Sequence, residues 1–400
     1  MEKAITRFFY QELPIGQRIK IRVLDICFFM GITLVAAAAR VLLFNVESLD
    51  YRDFLSQWYT AVDAAPGFSA LGVSVGNYNP PYMYLMKLMT LLPMRGLFAI
   101  KLFSCVFELA AAVLVMVMVY GFYKNIGYAL GAYGVFLFAP TVMLNGSAWA
   151  QCDIIYSFFL LFCVAAFIKD RPMLASVMFG IAFAFKLQAI FLAPLLVWMW
   201  LGGRVKFRQL LIIPAIFLAA LVPAWLAGRP LTELLTIYIN QTDTYNASLT
   251  LNYPNIYTFI GNAYVESISV AGIFITAAAI GLLLYFVLSA RALPDADLIL
   301  TFSFFSAMLL PFFLPHMHDR YGFPADVLAV LYAFKRPQKL AASVVFTLVS
   351  LVAYGPYLLG LEAIPLPYAA LGYIFCLCYV GADLAKQCLG QQGESRLRQD

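Results

Sequence analysis

Charged residues are scarce in this chain, at 12% of its 400 positions, against roughly 25% in a soluble globular domain. With 63% hydrophobic residues and a mean hydropathy of +0.85, the shortage excludes a soluble fold and leaves an all-α polytopic integral membrane protein as the expectation. Metal and disulfide spacings are missing as well. The cysteines at 27, 105, 152, 163, 376, 378 and 388 are odd in number, and most lie inside apolar runs, where Cys behaves as a small hydrophobe. No internal repeat is visible. The excess of five positive charges is spread through short loops rather than gathered into a basic patch, so no nucleic-acid partner is expected. Histidine occurs only at 316 and 318.

What is present is a series of apolar runs. At about 20 residues per crossing, helices are expected near 23–44, 99–123, 128–145, 150–168, 173–186, 187–201, 209–227, 268–289, 298–313, 321–334, 340–358 and 367–385. That makes about twelve transmembrane helices in one domain spanning 1–400, and the pair 173–186 and 187–201 is short for a crossing. The run from Val23 to Phe44 exceeds the roughly 7 to 15 residues of a signal-peptide core and reads as an uncleaved first helix. With the N-terminus in the cytoplasm, eighteen of the 26 Lys and Arg fall on the cytoplasmic side, including Lys124, Arg204 and Lys335, together with a tail over 386–400. This is the positive-inside bias. Most of the other eight, among them Lys186 and Arg320, lie in or beside polar motifs that the same topology puts on the outer face. Two outer loops are long, 46–98 and 228–267, and both are rich in Tyr, Asn, Pro and aromatic residues, which suggests folded or interfacial structure rather than linkers. The stretch Asn79 to Pro93 opens with prolines suited to a helix start and is too short to cross, so an amphipathic helix at the outer interface is expected there.

Four polar groups converge on the outer face. Glu47 to Tyr59 follows the first helix, and in it Asp50 or Asp53 is a candidate general base; a solvated loop with an aromatic belt is the ordinary alternative. Asn145 to Asp153 lies between two helices. There Asp153 either caps a helix or joins Gln151 in hydrogen-bonding a polar substrate while Trp149 stacks on a sugar. Lys186 is a lone cation between two apolar runs, either snorkelling to the interface or facing an anion. The densest group is Pro315-His-Met-His-Asp-Arg-Tyr321, at the mouth of a membrane segment, where unpaired charge is expensive and usually functional. Two His residues apart by two share a face in an extended segment but not on a helix, so a metal is one reading of them. A phosphate site is the other: Arg320 offers a planar fork for phosphate oxygens and an imidazole can donate to a leaving oxygen.

Five motifs in order resemble the bacterial membrane glycosyltransferases of the GT-C class: Asp50, Tyr51, Phe54, Leu55 and Trp58; Tyr78 to Tyr82; Trp149 to Asp153; Lys186 to Gln188; and His316 to Tyr321. The nearest resemblance is to relatives of GPI mannosyltransferase II and the endoplasmic-reticulum glucosyltransferases of asparagine-linked glycosylation. Departures are small. An Asn79 is inserted into the usual Tyr-Pro-Pro, Ala150 replaces a Gly, Leu187 replaces a Pro, and His318-Asp319 stands for the usual His-Glu, which favours His318 over His316.

The resemblance implies a GT-C fold with interfacial helices in the first outer loop. It also implies inverting transfer of a sugar, mannose or another hexose or pentose, from a polyprenyl-phosphate donor to a glycan, lipid or protein acceptor outside a bacterial inner membrane. Asp50 would be the catalytic base and Arg320, His318 and Lys186 the donor-phosphate ligands. Asp153, Gln151, Trp149, Trp58, Tyr82, Asp319, Tyr321 and His316 would contact substrate, with no metal or other cofactor. The competing expectation is a transporter or flippase of lipid-linked sugars, a class that tends to show internal repeats and sites at the bilayer midplane.

Overall fold

The computed structural model describes residues 8–15, 19–243 and 247–397. Lys3, Arg7, Arg18 and Arg398 of the topology argument lie outside them. The protein is an all-helical membrane protein, and among the described residues seven helices are long and apolar enough to cross a bilayer: Val23–Leu43, Gly96–Tyr123, Phe207–Leu226, Val265–Ser289, Ala296–Phe313, Pro337–Leu359 and Leu366–Gln391. A further pair, Ile126–Phe138 and Pro140–Ala148, is bent by 49° and has the length and composition of a broken span or a re-entrant loop. Four of the twelve expected segments are instead short. Asp153–Ile168 has 16 residues, Pro172–Phe185 has 14, Phe323–Lys335 has 13, and Leu187–Leu201 begins as a 3₁₀ turn before Ala193–Leu201. At 1.5 Å per residue these reach only about 20 to 24 Å, short of the roughly 30 Å hydrocarbon layer. Three of them can stop short because they are packed mainly against other helices, with most of their side chains buried in the protein. Where they stop, polar chain ends gather.

The bend at 139–140 has a local cause. Pro140 has no N–H to continue the ladder, so the Phe136 carbonyl accepts from the Ala139 N–H at 3.2 Å, and the Leu137 carbonyl at the bend accepts from Arg40 Nη2 at 2.8 Å. Arg40 also pairs with Glu108 at 2.5 Å, tying the first helix to the long helix Gly96–Tyr123 inside the bundle. The C-terminal end of the first helix is closed by Lys101, whose Nζ donates to the carbonyls of Leu43, Phe44 and Val46 at 2.9, 3.2 and 2.6 Å. These orphaned C-terminal carbonyls suit a cation, and the cap fixes where the chain leaves for the segment that carries Asp50.

The first long loop, 46–98, is folded. It holds a π turn Tyr51–Leu55, helix Ser56–Ala64, a 3₁₀ turn Gly67–Gly72 and helix Pro80–Met89. The last of these is not a surface helix laid on the membrane. Pro80, Pro81, Tyr82, Met83, Met86 and Met89 are buried, and Asn79 Nδ2 donates to the Ala184 carbonyl at 2.7 Å, pinning its start to the end of Pro172–Phe185. Its apolar face finds protein rather than lipid. In the second long loop, helix Leu231–Asp243 is held by Tyr238, whose hydroxyl donates to the Phe183 carbonyl at 2.5 Å, and strand Thr250–Leu251 pairs in parallel with Met317–His318. The last helix, Leu366–Leu397, continues without a break into the segment expected as a tail, 386–400.

Candidate active site

Asp50 precedes the π turn, and Ser48 anchors that turn by accepting from the Tyr51 N–H at 3.2 Å and donating to the Trp149 carbonyl at 2.7 Å. Ser48 thereby lays the first long loop against the segment 144–152. That segment is itself closely built. A π turn, Leu144–Ala148, places Gly146 against Glu108, where a Cβ would lie 2.2 Å from Oε1, and Ala150 takes a left-handed φ of 65°. The backbone of Gln151 is fixed by Asn145 O at 2.9 Å and Ser104 Oγ at 2.8 Å. Asp153 then opens the next helix.

These turns aim donors at one carboxylate. Asp50 Oδ2 accepts from Trp149 Nε1 at 2.9 Å and Gln151 Nε2 at 2.5 Å, and Arg320 Nη1 lies 3.2 Å away. Asp50 Oδ1 accepts from the Tyr357 hydroxyl at 3.0 Å. Gln151 is oriented in turn, since its Oε1 accepts from the Tyr78 hydroxyl at 3.2 Å. A second carboxylate sits behind the first. Asp153 Oδ1 pairs with Lys186 Nζ, its Oδ2 accepts from Asn145 Nδ2 at 3.0 Å, and Arg320 Nε stands 3.7 Å from Oδ2. Lys186 reaches it because the helix Pro172–Phe185 ends there and the lysine backbone turns extended; its ammonium lies 5.1 Å from the Tyr78 ring centroid. The Arg320 guanidinium lies over the Trp149 ring at 5.5 Å, a stacking that a lysine would not reproduce.

Two groups of the connection between Ala296–Phe313 and Phe323–Lys335 titrate far from their usual ranges. Burial raises the Asp319 carboxyl from its ordinary 3.8 to about 7, with Arg320 opposing the rise and Asp50 and Asp153 adding to it. Burial, seconded by the positive charges of Arg320 and Lys186, lowers the His318 ring from 6.5 to about 3. Burial thus disfavours the charged imidazole, and His318 stands at the cavity as a hydrogen-bonding group rather than a cation.

A cavity of about 250 Å³ opens over Asp50, and its wall includes Trp58, Gln151, Lys186, His318, Arg320 and Tyr321 of the expected residues. Other expected residues stand behind that wall. Trp149 is completely buried, bonded to Asp50 and stacked on Tyr357 at 5.9 Å, so it presents no face to a sugar and serves to orient the carboxylate. Asp153 and Asp319 are 1% and 4% exposed and belong to the ion-pair web, and Tyr82 is 1% exposed, packed on Tyr78. His316 points elsewhere. In a left-handed backbone at φ 60°, its Nδ1 meets the Ser248 carbonyl at 2.7 Å, and it lines a neighbouring, largely apolar cavity of about 290 Å³ with Leu187, Ile190, Phe191 and Ile273. The two cavities share Gln241 and Tyr321. Asp53, the other candidate base, is exposed on the π turn and absent from the cavity wall.

Among the described residues no group of three or more His, Cys, Asp or Glu is placed to hold a metal ion. Tyr78, Gln241 and Tyr357 were not among the expected site residues. Tyr78 belongs to the motif Tyr78 to Tyr82, and Tyr357 gives no polar signal beyond a Gly-Pro step at the end of an apolar run. A scan of the chain against protein-family models finds no match, and a search of curated proteins finds none.

Proposed function

We propose that this protein is a membrane glycosyltransferase of the GT-C class, with twelve helices in the membrane layer, that transfers a sugar from a polyprenyl-phosphate donor to a hydroxyl of a glycan, lipid or protein acceptor. The observation that carries the reading is the carboxylate of Asp50 at a cavity wall, with Oδ2 saturated by Trp149, Gln151 and Arg320. Such a fixed carboxylate suits a general base, whose position matters before its basicity. The adjoining cavities support the same reading, since one is lined by Lys186 and Arg320 and the other is apolar. An anionic head with a hydrocarbon tail has that shape.

In this mechanism Asp50 removes the proton of the acceptor hydroxyl as its oxygen attacks the anomeric carbon. The bond from that carbon to the phosphate oxygen breaks, the electron pair leaves with the polyprenyl phosphate, and the configuration inverts. Arg320 and Lys186 face the departing charge in a low-dielectric site, where such stabilisation is large. The loop charges support a site facing the outside of a bacterial inner membrane.

The test is turnover in detergent, with no membrane to cross. Purified protein is given a panel of polyprenyl-phosphate sugars and extracted cell-envelope acceptors; inverted glycoside and free polyprenyl phosphate are the expected products. Absence of turnover, with movement of lipid-linked sugar between leaflets of reconstituted vesicles, would establish a transporter instead.

A further inference from the structure

The two oxygens of Asp50 are not equivalent. Oδ2 meets three donors, from Trp149, Gln151 and Arg320, whereas Oδ1 accepts one hydrogen bond, from Tyr357. A proton can be taken only at an oxygen with room for it, so a base working at this site works through Oδ1. That oxygen is held by a phenol in the structure, and the phenol comes from an unusual place. Tyr357 belongs to a π turn, Gly355–Leu359, where the helix Leu340–Tyr354 ends, and Gly360 closes the turn in a left-handed backbone at φ 64°. Gly355 is obligatory, since a Cβ there would lie 2.5 Å from the Leu361 carbonyl oxygen. The turn thus brings one half-buried hydroxyl down onto the carboxylate. Tyr357 is absent from the wall of the cavity over Asp50, so it covers Oδ1 from a second direction.

The geometry points to Tyr357 as a placeholder: its hydroxyl occupies the seat on Asp50 Oδ1 that the acceptor's attacking hydroxyl takes, and it withdraws when the acceptor enters. The inference rests on the proposed glycosyl transfer and assigns the acceptor subsite to the side of Asp50 roofed by the 355–360 turn. Its ligand is an alcohol hydroxyl, which matches a phenol as donor to a carboxylate. The device has a use. An activated sugar beside an uncovered base is open to water: Asp50 would take a water proton, the water oxygen would bond to the anomeric carbon, and the phosphate would leave with its electron pair, spending the donor as free sugar. A phenol on Oδ1 keeps water off that oxygen until an alcohol displaces it. Tyr357 is on this account a positioning and specificity residue, and its ring remains stacked on Trp149 in either state.

The experiment measures free sugar and transferred sugar separately, from one polyprenyl-phosphate donor, for wild type, Tyr357→Phe and Tyr357→Ala. Tyr357→Phe keeps the ring and loses the hydroxyl. Donor hydrolysis without acceptor is expected to rise about tenfold, the factor that one hydrogen bond to a charged group is worth. The KM for acceptor falls, and the thermal melt drops by no more than the loss of one part-buried hydrogen bond accounts for. Tyr357→Ala moves the ratio of hydrolysis to transfer in the same direction, so a folding defect in one variant leaves the other informative. An unchanged ratio in both variants overturns the placeholder, as does a parallel loss of hydrolysis and transfer, which would make the phenol a support of the base. A wild-type protein that releases no sugar from any donor, with acceptor present, overturns the proposed transfer itself, a separate result.

Discussion

Arg320 Nη1 stands 3.2 Å from Asp50 Oδ2, with the guanidinium seated over the Trp149 ring. The same fork reaches Asp153 at 3.7 Å and Asp319 at 3.6 Å. One planar cation therefore orders three carboxyl groups, a task for which its delocalised geometry matters as much as its charge.

Asp50→Asn keeps the shape and most of the hydrogen bonds of the site and removes the base. Transfer is expected to fall by about 10² to 10⁴, the usual share of general-base catalysis, with expression and thermal melt close to wild type. Arg320→Lys keeps the charge and loses the fork, and a drop of about tenfold or more in turnover is expected from the lost bidentate geometry. Full activity in Asp50→Asn with loss in Asp53→Asn would move the base three residues along, out onto an exposed turn.

Lys186 and Asp153 form an ion pair whose side chains are 4% and 1% exposed. Breaking such a pair from one side leaves a buried charge without its counterion, which costs about 3 to 5 kcal/mol. Lys186→Met and Asp153→Asn should each lower the detergent melting temperature sharply. The double variant should recover much of the loss, because neither charge is then stranded. A double variant that simply adds the two single losses would show that the pair is not coupled.

Much of this was legible in sequence, for physical reasons. The twelve apolar segments were found within a few residues, because apolar length is a strong signal, but it does not say whether a segment meets lipid or protein. Hence Pro172–Phe185 and Phe323–Lys335 fall short of a crossing, and Pro80–Met89 is sunk in the bundle. Polar residues in apolar surroundings marked Asp50, Gln151, Asp153, Lys186 and Arg320, which the structure brings together. What each one touches was not readable. Trp149 reads in sequence as a ring for a sugar to stack on and instead donates to Asp50, and Tyr357 gives no signal because an aromatic at the end of an apolar run looks like any interfacial tyrosine.

The orientation in the membrane is open to a direct test. In a background with exposed Cys27 and Cys378 replaced, single cysteines at Arg204 and Lys335 should react only with a membrane-permeant reagent. A cysteine at Asn240, exposed on the helix Leu231–Asp243, should react with an impermeant one in intact cells. The reverse pattern would turn the whole site toward the cytoplasm.

His318 and Asp319 are neighbours whose titrations oppose one another, and stability should show it. Asp319 is raised from 3.8 to about 7, so between those values the folded chain holds a proton that the unfolded chain has lost, and stability falls as pH rises through that window. His318 is lowered from 6.5 to about 3. Between those values the unfolded chain holds the extra proton, and stability rises with pH. From about pH 4 to 6.5 the two slopes have opposite signs and similar size, so they cancel in the wild type. Asp319→Asn should unmask the histidine, giving a melting temperature that climbs over that range relative to wild type. His318→Gln should unmask the carboxyl and give the opposite slope, levelling off above about pH 7 where both states of the chain have lost the proton. The charges that face these groups, on Asp50, Asp153, Lys186 and Arg320, are the same in both variants, so the difference in slope reports on the replaced group. Melting curves for wild type and the two variants, taken from pH 4 to 8 in one detergent, decide the matter. Parallel pH profiles for all three proteins would mean that His318 and Asp319 keep ordinary ionisation in the fold, and that the dryness assigned to this corner of the site is wrong.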